Sequence, residues 1–370
     1  MFIFVTIVDK FLYNVLNNII ISTTTFFKYI YMINKLIKIK DKKIIPKWFL
    51  RQAGRHIPEY HDIRNKNNNF IDFCFDKDSI VDATLLPLKY YDLDAAILFS
   101  DILILPHCLG QKVEFKKNIG PILEDLIISD QFFEKKVNLK SLDPIKKAIN
   151  IIRKKIPIEK DLIGFCGAPW TLACYMIEGK SSKDFHKTRR FAWNDKELFQ
   201  KVINKLTKEC ANLLEFQYKS GANVLMIFDT WSSMIPDYFW RKYGILPINR
   251  IVSNLRKKNI NCPIIGLPFK SGERLIEYSY ESLVDIVSID WKTSLEWVFK
   301  NINPKIITQG NLDPALLSCD NLISIESEVR RILNLSKDKL HIFNVGHGLT
   351  PETKMENVQY VINLINEYKK

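Results

Sequence analysis

Arg51 and Arg55 bracket Gln52, Ala53 and Gly54 directly after an apolar run from Ile44 to Leu50. Guanidinium forks match carboxylates bidentately, and turn amides beside small residues add further donors. Small residues let the backbone approach a ligand closely, and Gly54 can take a positive φ. Such a loop suits an anion with more than one carboxylate or phosphate. Further along, Phe99-Ser-Asp-Ile-Leu103 sets Asp101 among apolar neighbours. An acid there caps a helix or pairs with an arginine, or it faces N–H donors or developing positive charge in a ligand. A charge pair 4 Å apart in an effective dielectric near 20 is worth about 4 kcal/mol. Confined to a transition state, that is roughly three decades in rate. Tyr175 falls one turn into a helix expected after Pro169-Trp170, where a tyrosine packs or serves a site. His347, between Gly346 and Gly348, presents an imidazole that can donate to or bind a carboxylate.

Parallel strands and helices are the elements needed to bring these residues together. Eight apolar, β-branched runs are expected as strands: Ile45–Phe49, Ala95–Phe99, Leu162–Cys166, Asn223–Phe228, Pro263–Leu267, Ile286–Ile289, Lys305–Thr308 and His341–Val345. Helical spacing of apolar residues marks Asp78–Tyr90, Asp195–Lys219, Ser318–Leu333 and Glu352–Tyr368. Apolar strands alternating with such helices argue for a parallel sheet covered by helices. With eight strands the economical fold is a single (β/α)8 barrel, and an open doubly wound sheet is the runner-up. A hairpin over Gln111–Pro121 interrupts the rhythm after the second strand. In a barrel, the residues that follow the strands share one face, where such folds put their chemistry. Those residues are Arg51 to Arg55, Asp101, Tyr175, Asp229-Thr230-Trp231, Phe269-Lys270, Asp290-Trp291, Gln309-Gly310-Asn311 and His347.

The chain has 370 residues, 47% hydrophobic and 26% charged, which is enough for a large globular core. Its net charge of +13 comes mostly from lysines spread along the chain. They form no basic stripe interleaved with aromatics, so nucleic-acid binding is not expected. Seven cysteines include no C-x-x-C pair, which points to a reducing, cytoplasmic setting without a disulfide framework. Neither H-E-x-x-H nor G-x-G-x-x-G occurs, so neither zinc nor a dinucleotide is called for. Residues 1–31 differ in composition from the rest and are expected to be an extension, with Met32 a candidate start. Their uncharged stretch, Leu12 to Phe27, is polar and short for a membrane span, and no stable membrane association is expected. One domain is expected over 32–370.

From about Ile45 onward the chain resembles the uroporphyrinogen decarboxylase family. The matching strings are RQAGR at 51–55, FSDIL at 99–103, GAPWTLACYMIEG at 167–179, IFDTW at 227–231, DW at 290–291, QGNLDP at 309–314 and FNVGHG at 343–348. The resemblance implies a (β/α)8 barrel, usually a homodimer, needing neither metal nor organic cofactor. It implies a carboxy-lyase that converts uroporphyrinogen III to coproporphyrinogen III on the haem route. Carried over position by position, Arg51, Gln52, Ala53, Gly54 and Arg55 would hold the substrate's acetate and propionate carboxylates. Asp101 would reach the pyrrole N–H groups and stabilise a cationic ring, while Tyr175, Thr230 and His347 would bond carboxylates around the rim. Arg51 becomes a candidate proton donor by the same resemblance; a guanidinium is a weak acid, and the donor stays open.

Three departures from the family pattern lie beside these positions. His56 stands where a Tyr commonly follows RQAGR, Ser232-Ser233 replaces a common Gly-Gly, and Lys180-Ser181 breaks a Gly run. They are expected to affect loop mobility. A corrinoid-related methyltransferase of the same fold is the alternative, and it needs a His-x-Cys zinc motif that the sequence lacks. A degenerate porphyrin-binding protein is a third, and it predicts loss of Asp101 or the arginines, which are present.

Overall fold

The computed structural model describes residues 32–116, 119–138 and 140–368. The expected extension over residues 1–31 lies outside the described residues.

Seven parallel strands form one curled sheet. They are β1 (Ala95–Ile97), β4 (Asp161–Gly167), β5 (Val224–Asp229), β6 (Ile264–Pro268), β7 (Ile286–Ser288), β8 (Ile307–Leu312) and β9 (His341–Val345). Spatial order follows chain order throughout, β1-β4-β5-β6-β7-β8-β9. Each strand returns through a helical connection to lie beside the one before it, and this repeated crossover curls the sheet. All residues of β4, β6, β8 and β9 are buried, as strands covered on both faces require. β2 (Val113–Lys116) and β3 (Gly120–Leu123) form the expected antiparallel hairpin after β1.

Seven of the expected strands are present, β9 with its expected ends and the other six with shifted ones. The eighth, Ile45–Phe49, is not a strand. Lys47 makes a single parallel bridge to Phe343. Phe343 N donates to Pro46 O at 2.8 Å and Trp48 N to Phe343 O at 3.3 Å. On the other side, Asp94 N donates to Lys47 O at 2.9 Å. Two features stop this pairing from extending into a ladder. Pro46 has no N–H to offer, and Lys47 N is taken by the Asp94 carboxylate at 2.8 Å rather than by a strand carbonyl. The second correction concerns Gln309-Gly310-Asn311, expected beyond its strand and found inside β8. Gln309 accepts from Trp48 Nε1 at 2.9 Å and donates to Ser288 Oγ at 3.1 Å, so its amide is spent on the interior.

The four expected helices are present as Lys77–Tyr90, Lys196–Lys219, Leu322–Leu335 and Met355–Glu367. The third starts late because Pro314–Ser318 forms a 3-10 turn and Asn321 caps the following helix through Ser324 N. Among the described residues no helix is long and apolar enough to cross a membrane.

A short helix, Met32–Ile39, packs where β4 begins. Asp161, fully buried, accepts from Ile33 N at 2.7 Å, Asn34 Nδ2 at 3.1 Å and Asn223 Nδ2 at 2.7 Å. Burial outweighs these donors and lifts its carboxyl from 3.8 to about 7. The folded state therefore holds a proton that the unfolded chain has lost, and the contribution of Asp161 to stability falls as pH rises between those values. Asp161→Asn cannot titrate. The melting temperature of this variant relative to the parent should therefore rise between pH 4.5 and pH 8; a constant difference across that range would refute the assignment.

Candidate active site

The loop after Leu50 is tied down before the first arginine appears. Leu50 N donates to Asn344 Oδ1 and Leu349 N to Leu50 O, both at 2.9 Å, so the chain runs alongside the end of β9. Gln52 is buried; its amide donates to Ala95 O at 3.1 Å and accepts from Phe49 N at 3.2 Å. This side chain pins the loop to β1 instead of facing the cleft. Ala53 and Gly54 are half-buried.

The left-handed residue of this loop is Arg51, at φ 57°, and Gly54 is not among the positive-φ residues. Gly54 serves a close approach instead, since a Cβ there would lie 3.0 Å from Arg51 O and 3.2 Å from His56 Nδ1. A side chain in the left-handed region costs roughly 1–2 kcal/mol, and such strain gathers where a function fixes the backbone. The result lays the Arg51 side chain across Gly348, where a Cβ would stand 2.3 Å from Arg51 Cδ.

Arg51 is thereby close to three other expected site residues. Asp101 follows β1 and is half-buried. Burial raises its carboxyl pKa, while Leu103 N and the Arg51 charge lower it. Leu103 N donates to Oδ1 at 2.8 Å, and Oδ2 accepts no hydrogen bond among the described residues. Tyr175 lies in the helix Pro169–Glu178, edge-on to Trp231 at 6.0 Å. Burial raises its phenol pKa, and both the Asp101 and Arg51 charges reach it. His347 is pushed down to about 4 by burial, then by Arg51 and Lys270. Its imidazole is neutral at neutral pH, with one donor and one acceptor nitrogen.

The remaining expected residues stand further out. Arg55 is exposed and makes no ion pair among the described residues. Thr230 is half-buried, and its side chain makes no hydrogen bond among them. Next to Thr230, Asp229 closes β5. It is buried, accepts from Thr171 Oγ1 at 2.6 Å, and burial lifts its carboxyl to about 7. The Thr171 hydroxyl in turn accepts from Trp231 N at 3.0 Å, which fixes the turn carrying Thr230 to the helix carrying Tyr175. The sequence placed Asp229 at the end of an apolar strand but gave no sign of its bond to Thr171, which depends on how the helix Pro169–Glu178 packs. His56 is buried behind the loop, stacked on Tyr91 at 6.4 Å, and kept neutral with its pKa pushed down to about 4. Among the described residues no three His, Cys, Asp or Glu side chains cluster as metal ligands do.

The site therefore combines one carboxylate, exposed cations and neutral hydroxyl and imidazole donors, at the strand ends of a parallel sheet. Residues 32–368 match the family described as uroporphyrinogen decarboxylase (URO-D). The chain belongs to the uroporphyrinogen decarboxylase family. It is 39% identical over 339 residues to a uroporphyrinogen decarboxylase of Rickettsia rickettsii (strain Sheila Smith), covering 91% of this chain and 97% of that one. It is 39% identical over 341 residues to that of Rickettsia bellii (strain RML369-C), covering 91% and 99%. Among solved structures it resembles a methyltransferase from Methanosarcina mazei, with a TM-score of 0.71 at 16% identity, covering 87% of this chain and 94% of that one. At that identity the likeness concerns the fold alone.

Within this decarboxylase family member, Arg51 separates a backbone effect from a side-chain effect. Arg51→Gly removes the left-handed penalty but gains unfolded-chain entropy, so stability should change by no more than about 1 kcal/mol. Affinity for a polycarboxylated porphyrin such as uroporphyrin should fall at least tenfold in a fluorescence titration. Unchanged affinity would mean that the strained arginine serves the fold.

Proposed function

We propose that this chain is a uroporphyrinogen decarboxylase. It removes CO2 from the four acetate side chains of uroporphyrinogen III, leaves methyl groups and gives coproporphyrinogen III. The chain supplies this chemistry from its own side chains, without metal or organic cofactor. The observation that carries the reading is Asp101. It is a half-buried carboxylate whose Oδ2 accepts no hydrogen bond among the described residues, set against the Arg51 charge and flanked by two groups held neutral, Tyr175 and His347.

Each decarboxylation replaces a carboxylate by a proton: an acetate anion takes up one proton and yields a methyl group and CO2. Protonating the pyrrole carbon next to the acetate-bearing carbon makes the ring cationic. The C–C bond to the carboxylate then breaks, and its electron pair flows into the ring. The exocyclic methylene takes a proton to become methyl, and the ring carbon returns its proton. Asp101 faces the ring N–H groups and stabilises the cation electrostatically. A preorganised charge is worth more here than in water, because nothing has to reorient when the ring charges. The Asp101 charge is matched to the middle of the macrocycle and the arginines to its rim. Arg51 and Arg55 take acetate or propionate carboxylates, while Tyr175, Thr230 and His347 donate to others. Gln52, Ala53 and Gly54 hold the loop shape between the two arginines.

The same reading takes residues 32–370 as one domain and closes the sheet into an eight-stranded barrel, with 45–49 filling the gap between β9 and β1. The single bridge at Lys47 supports that closure. A homodimer in the cytoplasm completes the picture that the family resemblance implies.

Asp101→Asn and Asp101→Glu test the mechanism. Asn keeps shape and hydrogen bonding but loses the charge, so single-turnover decarboxylation should slow by about 10²–10³-fold or more. Glu keeps the charge, displaced by one methylene, and should rank between the parent and Asn with melting temperature little changed in both. Equal rates for Asn and Asp would reduce Asp101 to a binding residue. Arg55→Ala, on an exposed loop with no cavity to leave, should weaken uroporphyrinogen binding while the fold persists; parental affinity would remove Arg55 from the carboxylate clamp.

A further inference from the structure

We propose that Lys270 is a further carboxylate-binding residue of this site and helps set how tightly the polyanionic substrate is held. The inference rests on the decarboxylase reading above and extends its set of anion-binding residues.

Lys270 follows β6 with only Phe269 between, at the same end of the parallel strands as Asp101 and His347. Its φ is 58°, in the region that disfavours a residue with a Cβ. Lys270 and Arg51 thus share this conformation at the strand ends, and strain of this kind persists only where neighbouring contacts over-determine it. Those contacts are present. Lys270 N donates to Asp290 Oδ2 at 3.2 Å, and Phe269 N donates to Asp229 O at 3.2 Å. The buried Ser232 hydroxyl donates to Phe269 O at 2.8 Å. Ser232 stands where the family commonly has glycine, so this last clamp comes from one of the chain's own departures.

The backbone holds the lysine, yet no carboxylate occupies it. Lys270 is exposed and makes no ion pair among the described residues. The Asp290 carboxylate, which holds the Lys270 backbone, is spent on Lys270 N, Lys292 N at 2.9 Å and Thr293 Oγ1 at 2.9 Å. The ammonium instead lies 5.1 Å from the centre of the Phe269 ring and 5.9 Å from that of Trp291. Aromatic faces hold a cation in place without neutralising it. The Phe269 ring also contacts His347, with centroids 4.9 Å apart. The charge of Lys270 is near enough to His347 to disfavour a proton on it. A cation oriented by two rings, left unpaired and set beside a neutral imidazole donor, fits a peripheral carboxylate of a large polyacid. A point-charge ammonium tolerates acetate and propionate alike.

The test is steady-state decarboxylation of uroporphyrinogen under anaerobic conditions by Lys270→Gly, Lys270→Asn and Lys270→Arg, with Lys292→Ala as a control. Gly and Asn both accept the left-handed backbone, so neither should unfold the protein, and melting curves check this. KM should rise about tenfold in Gly and Asn, with kcat changed less than twofold. It should return to within threefold of the parent in Arg, and the dependence of KM on salt should become shallower when the charge is lost. Lys292→Ala removes a second cation beside Trp291 and should leave KM unchanged. KM within twofold of the parent for Gly and Asn would overturn the inference, as would an equal rise for Lys292→Ala or a loss confined to kcat. In each of those outcomes the parent protein still decarboxylates, and the parent reading stands. A parent protein without turnover would sink that reading and this inference with it.

Discussion

The seam between the two edge strands of the sheet determines where Arg51 can stand. β1 and β9 are not paired with each other, and residues 46–48 occupy the gap with backbone bonds to Phe343 on one side and Asp94 on the other. Lys47 is buried there, its ammonium 3.5 Å from Asp94 and 3.8 Å from Asp92. Removing one partner of such a buried pair costs more than the pair itself contributes, because the other charge stays unpaired. Four residues later the chain reaches Arg51, already aligned along β9 by Leu50. The constraint that fills the gap in the sheet is therefore the one that delivers the guanidinium to Gly348 and to the neighbourhood of Asp101. Fold and site share a single short segment, which explains how a strained φ at Arg51 is sustained.

The electrostatics of the site follow from that delivery. Burial raises the pKa of the Asp101 carboxyl. The Arg51 charge and Leu103 N pull it back toward the ionised form. The same positive charge, with Lys270, discourages a proton on His347. The site thus keeps its negative charge in one place and its positive charge on exposed side chains, with uncharged donors between them. In the proposed mechanism, a substrate that is cationic at its centre only during reaction, and anionic at its rim throughout, would meet matching charge at both radii. Binding energy collected at the rim can then be spent on positioning the ring over Asp101.

Much of this was legible in the sequence, because parallel strands buried on both faces must be apolar and must end in turns. Asp101, Tyr175 and His347 were found by their place at strand ends, and the structure brings all three near Arg51. What was hidden has physical reasons. Ile45–Phe49 reads as a strand by composition, yet Pro46 lacks a donor and a side-chain carboxylate takes the next N–H, so the ladder cannot grow. Gly54 could take the left-handed conformation, which glycine bears at no cost, but the loop places it on Arg51. Gln52 looked like a ligand by its company in RQAGR, while its amide is consumed by Ala95 and Phe49. Lys270 was placed at a strand end by the sequence but given no role there, because its left-handed backbone and the two rings beside its ammonium leave no pattern in the sequence.

The departures from the family pattern can be placed by the same reasoning. A change behind the site is tolerated if it restores the contact it disturbs. Ser232 brings a hydroxyl into a buried position, where an unpaired one would cost about 1–3 kcal/mol, and spends it on the carbonyl of Phe269. His56 is less completely satisfied, since Nε2 has no hydrogen-bond partner among the described residues, and its ring stacks on Tyr91. Being held neutral by burial, it adds no charge to a loop whose function depends on where charge sits. Both residues act on the shape of the elements that present Arg51 and Phe269-Lys270, and neither reaches the reacting groups. A hydroxyl at 232 and a neutral imidazole at 56 are thus changes that leave the charges of Arg51, Asp101 and Lys270 where they stand.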